Sequence, residues 1–179
     1  MRGLRCLAGI VLVLFATPAS AEELPWKVGA AKRVITPEQP IAMAGYASRT
    51  SPAKGKLTEL WAKALVIQDE TGNRGVIVTL DLVGIGRELT DAVCASLQQR
   101  HGLSRDQIVL CTSHTHTGPV VGDKLVSVIY QTLPQAQHQA IDAWFATLHP
   151  TIVAVVDEAI GKLAPSRLSW GSGTATFAV

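Results

Sequence analysis

Two histidines one residue apart, His114 and His116, follow the short apolar run Ile108-Val109-Leu110-Cys111 and precede the chain-turning pair Gly118-Pro119. In an extended backbone successive side chains point to opposite faces, so these two imidazoles project to one side and Thr115 to the other. Backbones about 7 Å apart allow both rings to converge on one metal ion, or one to bind metal while its neighbour contacts substrate. A catalytic zinc takes three or so protein ligands and keeps a position open for water or for a carbonyl oxygen. No third His, Cys or carboxylate stands at a recognisable spacing, so by spacing alone a metal pair and a pair of structural histidines are both open readings.

Other chemistries find less support. There is no Gly-x-Ser-x-Gly elbow, and Ser113 directly beside His114 is not the arrangement of a serine triad, whose members meet through the fold. Gly84-Ile85-Gly86 is only a fragment of a dinucleotide fingerprint, and no phosphate loop is present. His138 and His149 have no partners at ligand spacing and read as solvated or core-edge residues.

The elements that must position the histidines can be read from period and punctuation. A strand is expected over Trp26 to Ile35, stopped by Thr36-Pro37. A loop follows from Thr36 to Lys56, with Ile41-Ala42-Met43-Ala44-Gly45-Tyr46 as its apolar island; a loop this long in a compact domain is usually functional or disordered. Tyr46 there reads either as lining a pocket or as packing on the surface. Strands Leu60 to Gln68 and Gly75 to Leu82 should form an antiparallel hairpin through Gly72 and Asn73. The β-branched run Val76 to Leu80 suggests a central strand covered on both faces. Asp81, just past it, reads either as a metal ligand or a support for one, or as a cap on the loop.

Leu89, Val93 and Leu97 recur at helical spacing within Glu88 to His101, and Gly102 is placed to end that helix. Strand, helix and strand from Val76 to Thr112 then make a βαβ unit, implying a parallel pair. In open α/β sheets ligands gather beyond the carboxyl ends of strands, where Asp81 and both histidines fall. Val120 to Pro134 shows no strong period and reads as a lid or a rim. Ile141 to Leu163 has helical spacing from Gln135 onward, with Pro150 predicting one bent helix or two. A last strand is expected from Arg167. The fold class is α/β: a mixed sheet with a parallel βαβ core and flanking helices.

Length and composition agree with one globular domain: 179 residues, 47% hydrophobic and 17% charged. Met1 to Ala21 carries Arg2 and Arg5, an apolar run from Leu7 to Phe15 and the small-residue site Ala19-Ser20-Ala21, the pattern of a secretory signal peptide cleaved after Ala21. Removing it leaves a formally neutral chain, which gives no case for nucleic acid. No segment has the roughly 20 apolar residues of a spanning helix, and contact with a membrane surface is left open. A secreted or periplasmic location follows. Cys94 and Cys111 are read as buried apolar residues in preference to a disulfide.

Several of these segments together resemble the amino-terminal part of neutral/alkaline, non-lysosomal ceramidases: Val28 to Pro37, Ala44-Gly45-Tyr46-Ala47, the Asp81-Leu82 strand end, and Leu163 to Gly173. The specific part is the block His114-Thr115-His116-Thr117-Gly118-Pro119, preceded by Ser113. The resemblance covers nearly the whole of residues 22–179 and implies a layered α/β/β/α domain. It implies a zinc amidase that cleaves the N-acyl bond of ceramide to sphingosine and fatty acid. It implies His114 as a zinc ligand and His116 as a catalytic group that helps hold the substrate oxygen in the transition state. The family's other zinc ligands (a second histidine, a glutamate and a tyrosine) and its serine nucleophile would lie beyond Val179. The expectation is therefore a fragment or truncated form, binding zinc weakly and inactive without the downstream half of the domain. Val120-Val121-Gly122 departs from the family, which often has a second glycine after Gly-Pro. The competing readings are another metal-dependent hydrolase with a His-x-His strand end, such as a barrel amidohydrolase, and a non-catalytic exported binding domain. The hairpin at Asp69 to Arg74 argues against the barrel.

Overall fold

The computed structural model describes residues 24–46, 48–122 and 127–176; the signal-peptide expectation falls outside them. The elements run β1 (Trp26–Val34), β2 (Trp61–Gln68), β3 (Arg74–Leu80), α1 (Arg87–His101), a 3-10 turn (Arg105–Gln107), β4 (Ile108–Thr112), α2 (Ser127–Gln131), α3 (Gln135–Gly161) and β5 (Ala164–Ser166). The strands form one five-stranded sheet in the order β4-β3-β2-β1-β5. Among the described residues only β3 and β4 run parallel, with Val76 opposite Ile108 and Leu80 opposite Thr112. The β2–β3 hairpin is antiparallel, as its Gly72 turn predicts.

One face of this sheet makes the core. Ala62, Ala64 and Val66 of β2 and Val76, Val78 and Leu80 of β3 are buried. They meet Ile141, Leu148, Ile152, Val155, Val156 and Ala159 of α3, and the buried Leu89, Val93 and Leu97 of α1 join the same cluster. Trp144 donates its indole N–H to the carbonyl of Ile35 at 2.8 Å, tying α3 to the exit of β1. At Gly29 the approach is closest: a Cβ there would lie 1.9 Å from the carbonyl oxygen of Ala159.

The alternate residues point the other way. Leu65, Ile77 and Val109 are exposed, Ile77 at 38%. This corrects the expectation that Val76 to Leu80 is covered on both faces. A right-handed βαβ crossover puts its helix on one side of the sheet, and α3 packs on that same side, so among the described residues no layer covers the second face.

α1 starts after Gly86 and ends at Gly102, which adopts φ 69° and donates its N–H to the Gln98 carbonyl. Glu88 in its first turn and Arg100 and His101 in its last complement the helix dipole. α3 is one helix and contains Pro150. The proline removes one backbone donor, but Leu148, Ile152 and Val153 around it are buried against the sheet and hold the helix through it.

Two further expectations need correction. The final strand is Ala164–Ser166, paired with Trp26–Val28, and not a strand from Arg167. Pro165 is tolerated because β5 is an edge strand, where a missing N–H breaks no interior ladder. The segment after Pro119 is not irregular throughout: Val120 and Val121 are buried in the core, and α2 follows at Ser127–Gln131, with Ile129 and Tyr130 packed on the same cluster. Cys94 and Cys111 are both free; Cys94 is buried as expected, but Cys111 is exposed because its strand position points to the uncovered face.

Candidate active site

The site gathers at the carboxyl end of the parallel pair, where three separate segments meet. The first is the exit of β3. Asp81 donates its backbone N–H to the Trp61 carbonyl and accepts the Trp61 N–H on its carboxylate, each at 3.0 Å, which closes the end of the hairpin. Leu82 is fully buried and anchors the turn that follows.

The second segment is the exit of β4. Ser113 donates its N–H to the Leu80 carbonyl at 3.0 Å, and there the strand stops. His114 then takes a left-handed conformation with φ 54°, uncommon for a residue with a Cβ. Its Nδ1 lies 2.7 Å from the Val83 carbonyl oxygen. A carbonyl can only accept, so Nδ1 carries a proton, and in the neutral ring the lone pair is on Nε2. Beyond it the Thr115 and Thr117 hydroxyls are bonded to each other at 2.7 Å, and the chain turns into the buried Gly118.

The third segment is the apolar island of the long loop. Ala44 donates to the Gly118 carbonyl at 3.0 Å and Val120 to the Ala42 carbonyl at 2.9 Å, a short antiparallel ladder centred on Met43 and Pro119. Gly45, with φ 106°, then lets the loop press against His116: a Cβ at residue 45 would be 2.5 Å from the Cβ of His116. Tyr46 sets its ring edge-on to His116 at 5.1 Å between centroids.

His114, His116 and Tyr46 therefore come together. The two imidazoles are 5.0 Å apart between centroids and inclined at 60°. Strand alternation is not what aims them, because the extended backbone ends at Thr112 and His114 is left-handed. The bond to Val83 and the contact with Gly45 hold the rings instead. Tyr46 is both partly exposed and in contact with the site. The Asp81 carboxylate sits at the neighbouring strand end, where it bonds the Trp61 N–H and lies 3.9 Å from the Lys63 ammonium. His138 and His149 lie elsewhere at the edge of the core, the first stacked on Tyr130 and the second 2.9 Å from the Ser96 hydroxyl.

As a metal centre the arrangement is one-sided. Imidazoles that bind metal commonly donate their other ring N–H to a carbonyl or carboxylate, and His114 has that support. Among the described residues, however, no group of three or more His, Cys, Asp or Glu side chains could enclose an ion. These residues fit a contribution to a zinc site and do not make a whole one. Sequence reasoning missed the Val83 carbonyl, which as a backbone acceptor has no residue-type signal, and the contact made at Gly45, whose only trace was the glycine itself.

The fold is a mixed α/β sheet with a pair of histidines at its parallel strand ends, and the comparisons place it in one family. The family described as Neutral/alkaline non-lysosomal ceramidase, N-terminal, matches residues 26–178. The chain belongs to that family. It is 31% identical over 171 residues to a neutral ceramidase of Pseudomonas aeruginosa, covering 93% of this chain and 25% of that protein. It is 34% identical over 108 residues to a neutral ceramidase of Drosophila melanogaster, covering 59% of this chain and 15% of that one. The crystal structure of neutral ceramidase from Pseudomonas aeruginosa superposes with a TM-score of 0.62 at 28% identity, over 80% of this chain and 23% of that chain. The chain thus spans about a quarter of the length of the bacterial relative.

Proposed function

We propose that this chain carries the paired-histidine side of a zinc-dependent amidase site that cleaves the N-acyl bond of ceramide, giving sphingosine and a fatty acid. Membership of the ceramidase family supports the reaction and the lipid amide substrate. The observation that carries the assignment of residues is the bond from His114 Nδ1 to the Val83 carbonyl. It fixes the tautomer in which Nε2 presents its lone pair, the state an imidazole needs to bind a metal.

In this reading His114 is one zinc ligand, and further ligands come from outside the described residues. When bound, zinc supplies a Lewis acid that polarises a carbonyl oxygen or acidifies water. His116 presents a ring N–H toward the substrate oxygen as negative charge develops there, a preorganised donor that needs no rearrangement during the reaction. Tyr46 limits how far the His116 ring can turn and offers an apolar wall to the acyl chain. The composition of Met1 to Ala21 supports export of the protein. The described residues contain no helix long and apolar enough to cross a membrane.

Zinc titration of the wild-type chain and of His114→Ala by calorimetry tests the assignment. Binding should weaken by about tenfold or more in His114→Ala. Equal affinity in the two proteins would remove His114 as a ligand and the proposal with it.

A further inference from the structure

We propose that Arg49 is a positioning residue for His116, fixing where that ring stands relative to Gly45 and Tyr46. The short ladder between the long loop and the β4 exit ends at Ala44, because Gly45 turns the chain with φ 106° and Tyr46 departs from the strand direction. Arg49 occupies the place where that ladder ends. Its Nη1 donates to the Ala44 carbonyl at 2.5 Å and also to the His116 carbonyl. Its guanidinium carbon lies 4.9 Å from the centroid of the Tyr46 ring, and its own backbone N–H bonds the Tyr46 carbonyl at 3.1 Å. One cation thus touches both sides of the ladder and the ring that faces His116.

The geometry follows from what an arginine can do. Bonds from a charged donor are roughly twice as strong as neutral ones, and the guanidinium is rigid, so a carbonyl held by it has a fixed position. The planar cation also favours the face of an aromatic ring, which orients Tyr46. Tyr46 and Gly45 in turn bound the space of the His116 ring on two sides. Arg49 touches no reacting atom and acts only through these neighbours. A lysine at this position could donate to the same carbonyls but would lack the flat cation over Tyr46. A methionine has comparable reach and no donor.

The chemical meaning of this role rests on the reading of His116 as an active-site group; the placement of the rings is independent of it. The test compares wild type, Arg49→Lys, Arg49→Met and Tyr46→Leu in the full chain by NMR. Arg49→Met should speed hydrogen exchange at the Ala44 and Val120 amides by roughly tenfold or more, as loss of charge-assisted bonds implies, while amides of β1 to β3 exchange as in wild type. The His116 ring protons in Arg49→Met should move toward their positions in Tyr46→Leu, where the neighbouring ring current is gone. Arg49→Lys should fall between wild type and Arg49→Met in both measurements. Unchanged His116 signals in Arg49→Met would overturn the proposal. So would faster exchange throughout β1 to β3, which marks general stabilisation, or an Arg49→Lys protein no closer to wild type than Arg49→Met. Equal zinc affinity of wild type and His114→Ala would sink the proposed function and leave these readouts to judge Arg49 on their own.

Discussion

Gly29 in β1 and Gly45 in the long loop both sit where the chain leaves no room for a Cβ, and what fills the space differs. At Gly29 the obstacle is backbone: the Ala159 carbonyl oxygen would be 1.9 Å away, its carbon 3.0 Å and the Leu163 nitrogen 3.1 Å. At Gly45 the obstacle is one side chain and its attachment, with His116 Cβ and Cγ each at 2.5 Å. The first contact seats α3 on the sheet and can yield only by lifting a helix whose Val155, Val156 and Ala159 are fully buried. The second seats a loop on a histidine and can yield by moving that histidine. The same residue type therefore serves packing in one place and the shape of a site in the other.

Substitution at these two positions should separate the two roles. Gly29→Ala is expected to have the largest effect, a loss of about 3 kcal/mol or more of stability, because overpacking here meets a rigid helix backbone. Urea denaturation would show it as a lowered midpoint. A loss under about 1 kcal/mol would mean that α3 shifts easily and that the contrast is false. Gly45→Ala is expected to cost less stability, about 1–2 kcal/mol, from forcing a Cβ into a positive-φ conformation. Its main effect should be displacement of His116, read as loss of nuclear Overhauser contacts between the Tyr46 and His116 rings. Persistence of those contacts in a folded Gly45→Ala protein would show that Gly45 does not shape the site.

The smallest expected effect lies on the packing side. Asp157 of α3 accepts hydrogen bonds from Arg100 at 2.7 Å and His101 at 2.6 Å, both at the end of α1. Partial burial pushes its carboxyl upward, but the bonds from His101 and Arg100 outweigh burial and hold it below the usual carboxylate range. A carboxyl depressed in the folded state stabilises fully above its unfolded value and loses that contribution as pH falls through the folded one. Denaturation midpoints should therefore decline below about pH 4 more steeply in wild type than in Asp157→Asn, with the Tyr46–His116 contacts unaltered. Identical acid slopes would show that this helix-to-helix pairing adds nothing to the packing region.

What could be read in the sequence was what depends on near neighbours. The hairpin followed from Gly72 and Asn73, α1 from the spacing of Leu89, Val93 and Leu97, and the parallel pair from strand, helix and strand in succession. His114 and His116 stood out by type and spacing. What escaped depends on contacts between distant segments or on conformation without residue-type signal. Val76 to Leu80 reads alike whether a sheet is covered on one face or two. Pro150 leaves one bent helix or two open, and α3 is a single helix, the first of these. The left-handed backbone of His114 has no marker in its residue type, and the role of Arg49 depends on a carbonyl 67 positions away.

The uncovered face of the sheet carries a thermodynamic consequence. Leu65, Ile77 and Val109 are substantially hydrated in the folded chain, so unfolding transfers correspondingly less of their apolar surface into water. The heat-capacity increment of unfolding scales with newly exposed apolar surface. Among the described residues the sheet is exposed on one face, so its contribution to that increment is smaller, and the dependence of its stability on temperature flatter, than for a sheet buried on both faces.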